Sequence, residues 1–284
     1  MLFAQNNWAP ASLAALRKED SGELENKSKN PKERIAKGDA WYTDDQLAIQ
    51  LGQSGPRAVV EGRLRIFRTA ISNWLLNSGK QREGLRFLDA GCGDGINLMG
   101  LSSIMAGMGI EPGRSLFGVD YNVARIFKAR KMPGVAGVFS GSLLSLPFRD
   151  ETWDVILCNQ VLEHIYEDSS ALLELNRVLR KDGLLIIGVP NEGCGLAQLR
   201  NNVLQPKISA TTDHVNFYTI DSISFKIAAA RLVIDRVERS GFFVPHTRIL
   251  FLISSTSFGR SALEKLGRII PSQAAGLIFI CGKK

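Results

Sequence analysis

The 284-residue chain has no uninterrupted apolar run of the eighteen or so residues needed to cross a bilayer. Its most apolar stretch, Phe242 to Ile253, is broken by Pro245, His246, Thr247 and Arg248, and is expected to be buried. Residues Met1 to Pro10 lack the basic flank and apolar core of a secretory signal. Cysteine is scarce. Cys92, Cys158, Cys194 and Cys281 lie far apart, with no CxxC and no nearby His. That spacing supports neither a zinc site nor a disulfide framework, and it suits a reducing cytoplasm, the expected location. Also missing are GxxxxGK[ST], GxSxG and any His/carboxylate pair at helical spacing. Phosphate-loop, covalent-serine and metal chemistry therefore find no support, and no metal ligand is assigned.

Charge is present but unevenly placed. The net charge is +7. Residues 85–190 carry ten basic and twelve acidic side chains, whereas 191–284 carry twelve basic and six acidic. A positive last third fits an anionic substrate, a membrane surface touched peripherally, or nucleic acid. Nucleic acid is disfavoured, because basic and aromatic residues are not interleaved as stacking would need.

Residues 17–39 mix charges of both signs and hold only Leu24, Ile35 and Ala36 as apolar side chains. Such a segment buries too little to offset its ordering entropy, and a flexible arm is expected. Residues 1–60 as a whole are read as arm and lid, ahead of a binding domain over 61–284. Leu64, Phe67, Ala70, Ile71, Trp74 and Leu75 recur at helical spacing and predict an amphipathic helix closed by Asn77, Ser78 and Gly79. Strands and helices then alternate. Strands are expected at 85–90, 115–120, 135–139, 153–158 and 184–189, and helices at 96–105, 122–130 and 171–179, the last stopped by Lys181, Asp182 and Gly183. This alternation argues for a parallel sheet with right-handed crossovers. A helix over 220–230, a strand over 233–238, a helix near 261–269 and a terminal strand over 275–281 follow.

The sharpest signal is Leu88-Asp89-Ala90-Gly91-Cys92-Gly93-Asp94-Gly95 at the first strand-to-helix turn. Its glycines permit a tight turn and close approach of a ligand to backbone N–H groups at a helix start. A dinucleotide fingerprint requires Gly five positions after the first, where this chain has Ile96. The second signal is Val119-Asp120-Tyr121-Asn122, a carboxylate at a strand end that can accept from two ribose hydroxyls, with an aromatic placed to pack against adenine. Gly141-Ser142-Leu143 and Asn159-Gln160-Val161-Leu162-Glu163-His164-Ile165 follow the third and fourth strands.

The D-x-G-x-G-x-G pattern resembles motif I of the class I S-adenosylmethionine-dependent methyltransferases. Val-Leu-Glu-His-Ile, followed by a helix ending in Val178-Leu179-Arg180-Lys181-Asp182-Gly183, resembles the branch that includes quinone-biosynthesis and sugar or natural-product enzymes. The resemblance covers roughly residues 86–225 and does not extend to 1–60. It implies a Rossmann-like, doubly wound α/β fold: seven strands, mostly parallel, an antiparallel C-terminal strand, and helices on both faces. It also implies S-adenosylmethionine as cofactor, with its methionyl end on Asp89, Gly91, Cys92, Gly93, Gly95, Asn159 and Gln160. The ribose falls to Asp120, and the adenine to Tyr121, Asn122, Ser142 and Leu143. The family usually has Asp where this chain has Ser142, and a hydroxyl makes a weaker acceptor.

Three absences narrow the reaction. No Asp/Asn/Ser-Pro-Pro-aromatic follows the fourth strand, no Pro-Cys occurs there, and there is no second glutamate of the arginine-methylating kind. The expected chemistry is direct displacement onto an oxygen or nitrogen of a small-molecule, glycan or lipid-like acceptor. His214, in Thr212-Asp213-His214-Val215, and His164 are the candidate bases. The acceptor is expected between a lid around Trp41 and Tyr42, the segment after Val161, and an insertion over 191–219. That insertion's Arg200, Lys207 and His214 hint at an anionic acceptor. A cofactor-binding protein that assembles or regulates without methylating is the alternative.

Overall fold

The computed structural model describes residues 54–206 and 214–283. The expected lid around Trp41 and Tyr42, most of the expected arm, and Lys207 to Asp213 lie outside the described residues.

Helix α1 (Ser54–Ser78) leads into β1 (Phe87–Ala90) and α2 (Ile96–Gly107), then β2 (Leu116–Asp120) and α3 (Val123–Ala129). Strands β3 (Gly137–Ser140) and β4 (Trp153–Asn159) follow, then α4 (Asp168–Val178) and β5 (Leu179–Pro190). The remainder is α5 (Gly195–Leu199), α6 (Ile220–Ala229), β6 (Leu232–Ser240), α7 (Thr247–Ser254), α8 (Ser257–Ile269) and β7 (Gly276–Lys283). The seven strands lie in the order β3-β2-β1-β4-β5-β7-β6. Strands β1 to β5 pair in parallel, and β7 runs antiparallel between β5 and β6. The order reverses between β1 and β4, which places a ligand crevice at the carboxyl ends of these two strands.

Side-chain alternation explains why helices cover both faces. Leu88, Ile156, Ile187 and Phe279 pack with Leu172, Leu175, Ile223 and Ile227 on one side. Phe87, Leu157, Ile186 and Ile278 pack with Phe67, Ile71, Leu98 and Leu101 on the other. All seven residues of β4 are buried, as a strand covered on both faces requires. Its Asp154 is offset by Lys80 Nζ at 3.0 Å, Arg180 Nη1 at 2.8 Å and the Arg86 amide at 3.1 Å. The four cysteines are buried and free.

Three expectations are corrected. Helix α1 begins at Ser54, so it runs through the boundary placed at residue 60. Strand β5 starts at Leu179 rather than 184, because Trp153 pairs with Leu179 before the register slips to Val155 and Leu184. Lys181, Asp182 and Gly183 thus lie in a bulged strand start, where the Arg180 ion pair with Asp154 holds the chain extended. Most consequentially, 242–253 is not a buried run. Its second half is α7, which buries none of its residues. Strand β6 has already ended at Ser240, with Gly241 at φ 62°, and the helix turns Ile249, Phe251 and Leu252 to the surface.

One buried polar knot sets the position of the chain leaving β4. The Tyr218 hydroxyl lies 2.6 Å from Asp168 Oδ2 and 3.1 Å from the Leu162 carbonyl, and Lys226 Nζ meets Asp168 at 2.6 Å. Tyr218→Phe leaves Asp168 with one partner fewer and should lower unfolding free energy by about 1–3 kcal/mol. Urea denaturation checks this, and an unchanged midpoint would remove the knot from the account.

Candidate active site

The β1–α2 turn is built around glycine. Gly91, Gly93 and Gly95 have φ of 80°, 51° and 97°, a region L-residues rarely enter. A Cβ on Gly91 would come within 2.5 Å of Val161, and one on Gly93 within 2.8 Å of the Arg125 guanidinium. Residues of both the sheet and its neighbouring helices therefore crowd this turn. Asp120 ties the turn to β2: Gly93 N donates to Oδ2 and Asn122 N to Oδ1, each at 2.8 Å. A carboxylate has about four acceptor positions, so two remain for ligand hydroxyls.

Around this turn lies a cleft of about 90 Å³ lined by Gly91, Gly93, Asn97, Asn159 and Gln160, roofed by Val60, Arg63, Leu64 and Phe67 of α1. Gln160 adopts φ 59° while its amide donates to the Gly188 carbonyl at 2.7 Å. A Cβ on Gly188 would overlap the Asn159 side chain, so that glycine makes room for it. Arg63 Nη2 donates to Gln160 Oε1 at 3.2 Å. Burial pulls the Arg63 guanidinium below its ordinary value, while the Glu163 carboxylate opposes this.

Not every expected residue contributes its side chain. Cys92 points at β2, where its sulfur would meet a Cβ on Gly118 at 2.8 Å, so it can offer only backbone to the cleft. Asn122 caps α3 by accepting from Arg125 N at 3.3 Å, so its carbonyl end is committed locally. Ser142 Oγ accepts from Leu144 N within its own turn, and the Leu143 side chain belongs to the core. Tyr121 is half exposed beyond Asp120.

The two candidate bases come together. The His164 and His214 rings meet edge to face at 4.8 Å. His214 Nδ1 lies 2.5 Å from Glu192 Oε2, and Glu192 Oε1 accepts from Arg200 Nη2 at 2.9 Å. Burial acts to raise the Glu192 carboxyl, but His214 and Arg200 outweigh it and hold it below the ordinary value. Glu163 is buried beneath the pair, and burial pushes its carboxyl up against the opposing pull of His164, His214 and Arg63. Glu163, His164 and His214 offer ligand atoms within 4.8 Å of one another, a spacing that could hold a cation. Sequence spacing hides this group, because His214 is fifty residues from His164. Arg63 and Glu192 carry no motif that marks them, and Arg200, expected to face an anionic acceptor, instead pairs with Glu192.

Both oxygens of Asp89 are buried, and neither makes a hydrogen bond of good geometry. Burial, then the neighbouring Asp120 charge, push its carboxyl up from 3.8 to about 8, against a smaller opposing pull from the nearby Asn97 side chain. An ammonium group arriving from the cleft would answer this poorly satisfied carboxyl, so the residues fit the amino end of S-adenosylmethionine. A folded-state value above the unfolded one contributes stability that is complete below about pH 4 and lost as pH rises through about 8. Asp89→Asn should therefore melt progressively above wild type between pH 5 and 8.5 without ligand, and lose the stabilisation that S-adenosylhomocysteine gives wild type. Parallel melting curves across that range would contradict the assignment.

Residues 88–187 match the family model described as a methyltransferase domain. A Mycolicibacterium smegmatis "probable S-adenosylmethionine-dependent methyltransferase" is 31% identical over 38% of this chain and 39% of its own length. A Rhizobium etli ubiquinone biosynthesis O-methyltransferase is 27% identical over 58% of this chain and 66% of its own. The match thus spans well under half of the first relative and about two thirds of the second. A solved Archaeoglobus fulgidus S-adenosylmethionine-dependent methyltransferase shares the fold at TM-score 0.53 and 20% identity, over 84% of this chain and all of that one. Together with the glycine turn, the strand-end carboxylates and the sheet order, these similarities identify the chain as carrying a class I S-adenosylmethionine-dependent methyltransferase domain.

Proposed function

We propose that the protein transfers the methyl group of S-adenosylmethionine to a hydroxyl of a small-molecule, glycan or lipid-like acceptor, with His214 as the base. The observation that carries this reading is the chain Arg200–Glu192–His214–His164 beside the cofactor cleft. Bound S-adenosylmethionine supplies an electrophilic methyl on a positively charged sulfur. The residues then have separate tasks. Asp120 would take the ribose hydroxyls, Asp89 the ammonium, and Arg63 the methionyl carboxylate. Glu192 fixes His214 Nδ1 and aims Nε2 as the proton-accepting atom, and its charge steadies the imidazolium formed when the acceptor hydroxyl loses its proton. Held by these residues, S-adenosylmethionine would supply its methyl to the acceptor oxygen and leave as S-adenosylhomocysteine, while His214 would take the hydroxyl proton.

A second, apolar cleft of about 630 Å³ lies on the other side of α1 and so does not hold the acceptor group that must meet the methyl. Phe242, Phe243, Val244, Leu250, Phe251 and Leu263 line it. Among the described residues of the 191–219 insertion, Arg200 reaches it, and its guanidinium lies 4.8 Å from the Phe243 ring centre. The insertion's basic charge is thereby spent partly on Glu192, which weakens the anionic-acceptor reading.

Calorimetry should detect S-adenosylhomocysteine binding to wild type, with Asp120→Ala and Arg63→Ala each weakening it about tenfold or more, roughly 1.4 kcal/mol. Unchanged binding in both variants would sink the cofactor placement. With methyl-labelled cofactor and a lipid and metabolite extract, His214→Gln should lower kcat by about 10²–10⁴ at unchanged cofactor affinity. Glu192→Gln should move the rising limb of the kcat–pH profile to lower pH, since removing a negative neighbour lowers the imidazole's value. An absence of labelled product from broad lipid and metabolite extracts, with cofactor binding intact, would favour the non-methylating regulatory reading.

A further inference from the structure

The chain after β6 forms a helical hairpin, α7 and α8, whose apolar surface no described residue covers. Leu252 is 72% exposed, Phe258 84% and Ile269 74%, with Ile249 half exposed. On α8, Phe258, Ala262, Leu266 and Ile269 follow one another at four, four and three residues, one stripe of a helix, while Gly259, Leu263 and Gly267 face inward. The exposure is not fraying. Thr256 caps α8 by accepting from Gly259 N at 3.0 Å, and Arg260 closes α7 by donating to the Ser254 and Ser255 carbonyls. A Cβ on Gly259 would overlap the Ile253 carbonyl, and one on Gly267 the Gly241 carbonyl, so both helices are seated backbone to backbone.

Charge decides what such a surface fits. Residues 241–270 contain Arg248, Arg260, Lys265 and Arg268 against a single acid, Glu264. Arg248, Lys265 and Arg268 are exposed, the last two beside the apolar stripe. Among the described residues no helix is long and apolar enough to span a membrane. An apolar stripe flanked by cations on a helix too short and too polar to cross is the pattern of interfacial binding. Pairing with a second copy would set these cations against their own counterparts.

We propose that the α7–α8 hairpin seats this protein on an anionic lipid bilayer. Leu252, Phe258 and Ile269 enter the boundary between headgroups and acyl chains, and Arg248, Lys265 and Arg268 meet lipid phosphates. This holds independently of the acceptor that the site methylates. The test is co-sedimentation of the full chain with vesicles of phosphatidylcholine and phosphatidylglycerol, against phosphatidylcholine alone. Wild type should pellet with the anionic vesicles, less so as salt is raised. The double variant Leu252→Ser/Phe258→Ser should lose at least about tenfold in vesicle affinity. Lys265→Glu/Arg268→Glu should lose the preference for anionic lipid. S-adenosylhomocysteine calorimetry on the same samples verifies that each variant is folded. Wild type remaining in the supernatant, or the double serine variant pelleting equally well, overturns the proposal. So does sedimentation velocity showing a dimer that the serine variant disperses, without vesicle binding, since a second copy then covers the face.

Discussion

The site depends on the Asp120 carboxylate, which accepts one backbone N–H from the glycine turn after β1 and another from the start of α3. The first joins the turn after β1 to the end of β2, beside the Gly91 and Cys92 amides, which both donate to the Val119 carbonyl; the second closes the start of α3 on Asp120 itself. The turn is held in its left-handed glycine conformation by these bonds to β2. Asp89 lies desolvated beside it, and burial first, then the Asp120 charge, keep its carboxyl largely protonated up to about pH 8. A cationic ligand entering the cleft would favour its ionised form.

Around this fixed point, helices supply what the sheet cannot. Helix α1 carries Phe67, Ala70 and Ile71 into the core, and one turn earlier carries Arg63 over the glycine turn. Packing on the sheet face thus sets how far the guanidinium can reach into the cleft. On the other side of the switch point, the Tyr218–Asp168–Lys226 knot grips the Leu162 carbonyl and so fixes the turn bearing Glu163 and His164. The amides of Val215 and Asn216 donate to the Glu163 carbonyl at 2.8 and 3.1 Å, bringing His214 to the same turn. Two sequence-distant segments are thereby held as one wall.

The tail obeys a different balance. Strand β7 must be apolar because β5 and β6 flank it and both its faces are covered, and it buries Leu277, Ile278, Phe279 and Ile280. Helices α7 and α8 lie outside that sheet and spend their inward face on glycine-mediated contacts, leaving large apolar residues outward. The same residue types serve as core in one segment and as surface in the next. Composition alone does not distinguish them.

The strand–helix alternation, the glycine turn and the strand-end acids Asp89 and Asp120 were determined by sequence alone. Each is a local matter: two- and 3.6-residue periodicities set the elements, and positive φ demands glycine where the chain turns back. Tertiary structure alone decided that Glu192 meets His214, that Arg63 bonds Gln160 from ninety-seven residues away, that Ser142 spends its hydroxyl on its own turn, and that 247–254 faces outward. Those outcomes follow from how closed loops bring distant segments together and which face a helix is left to bury. No short window of residues encodes either.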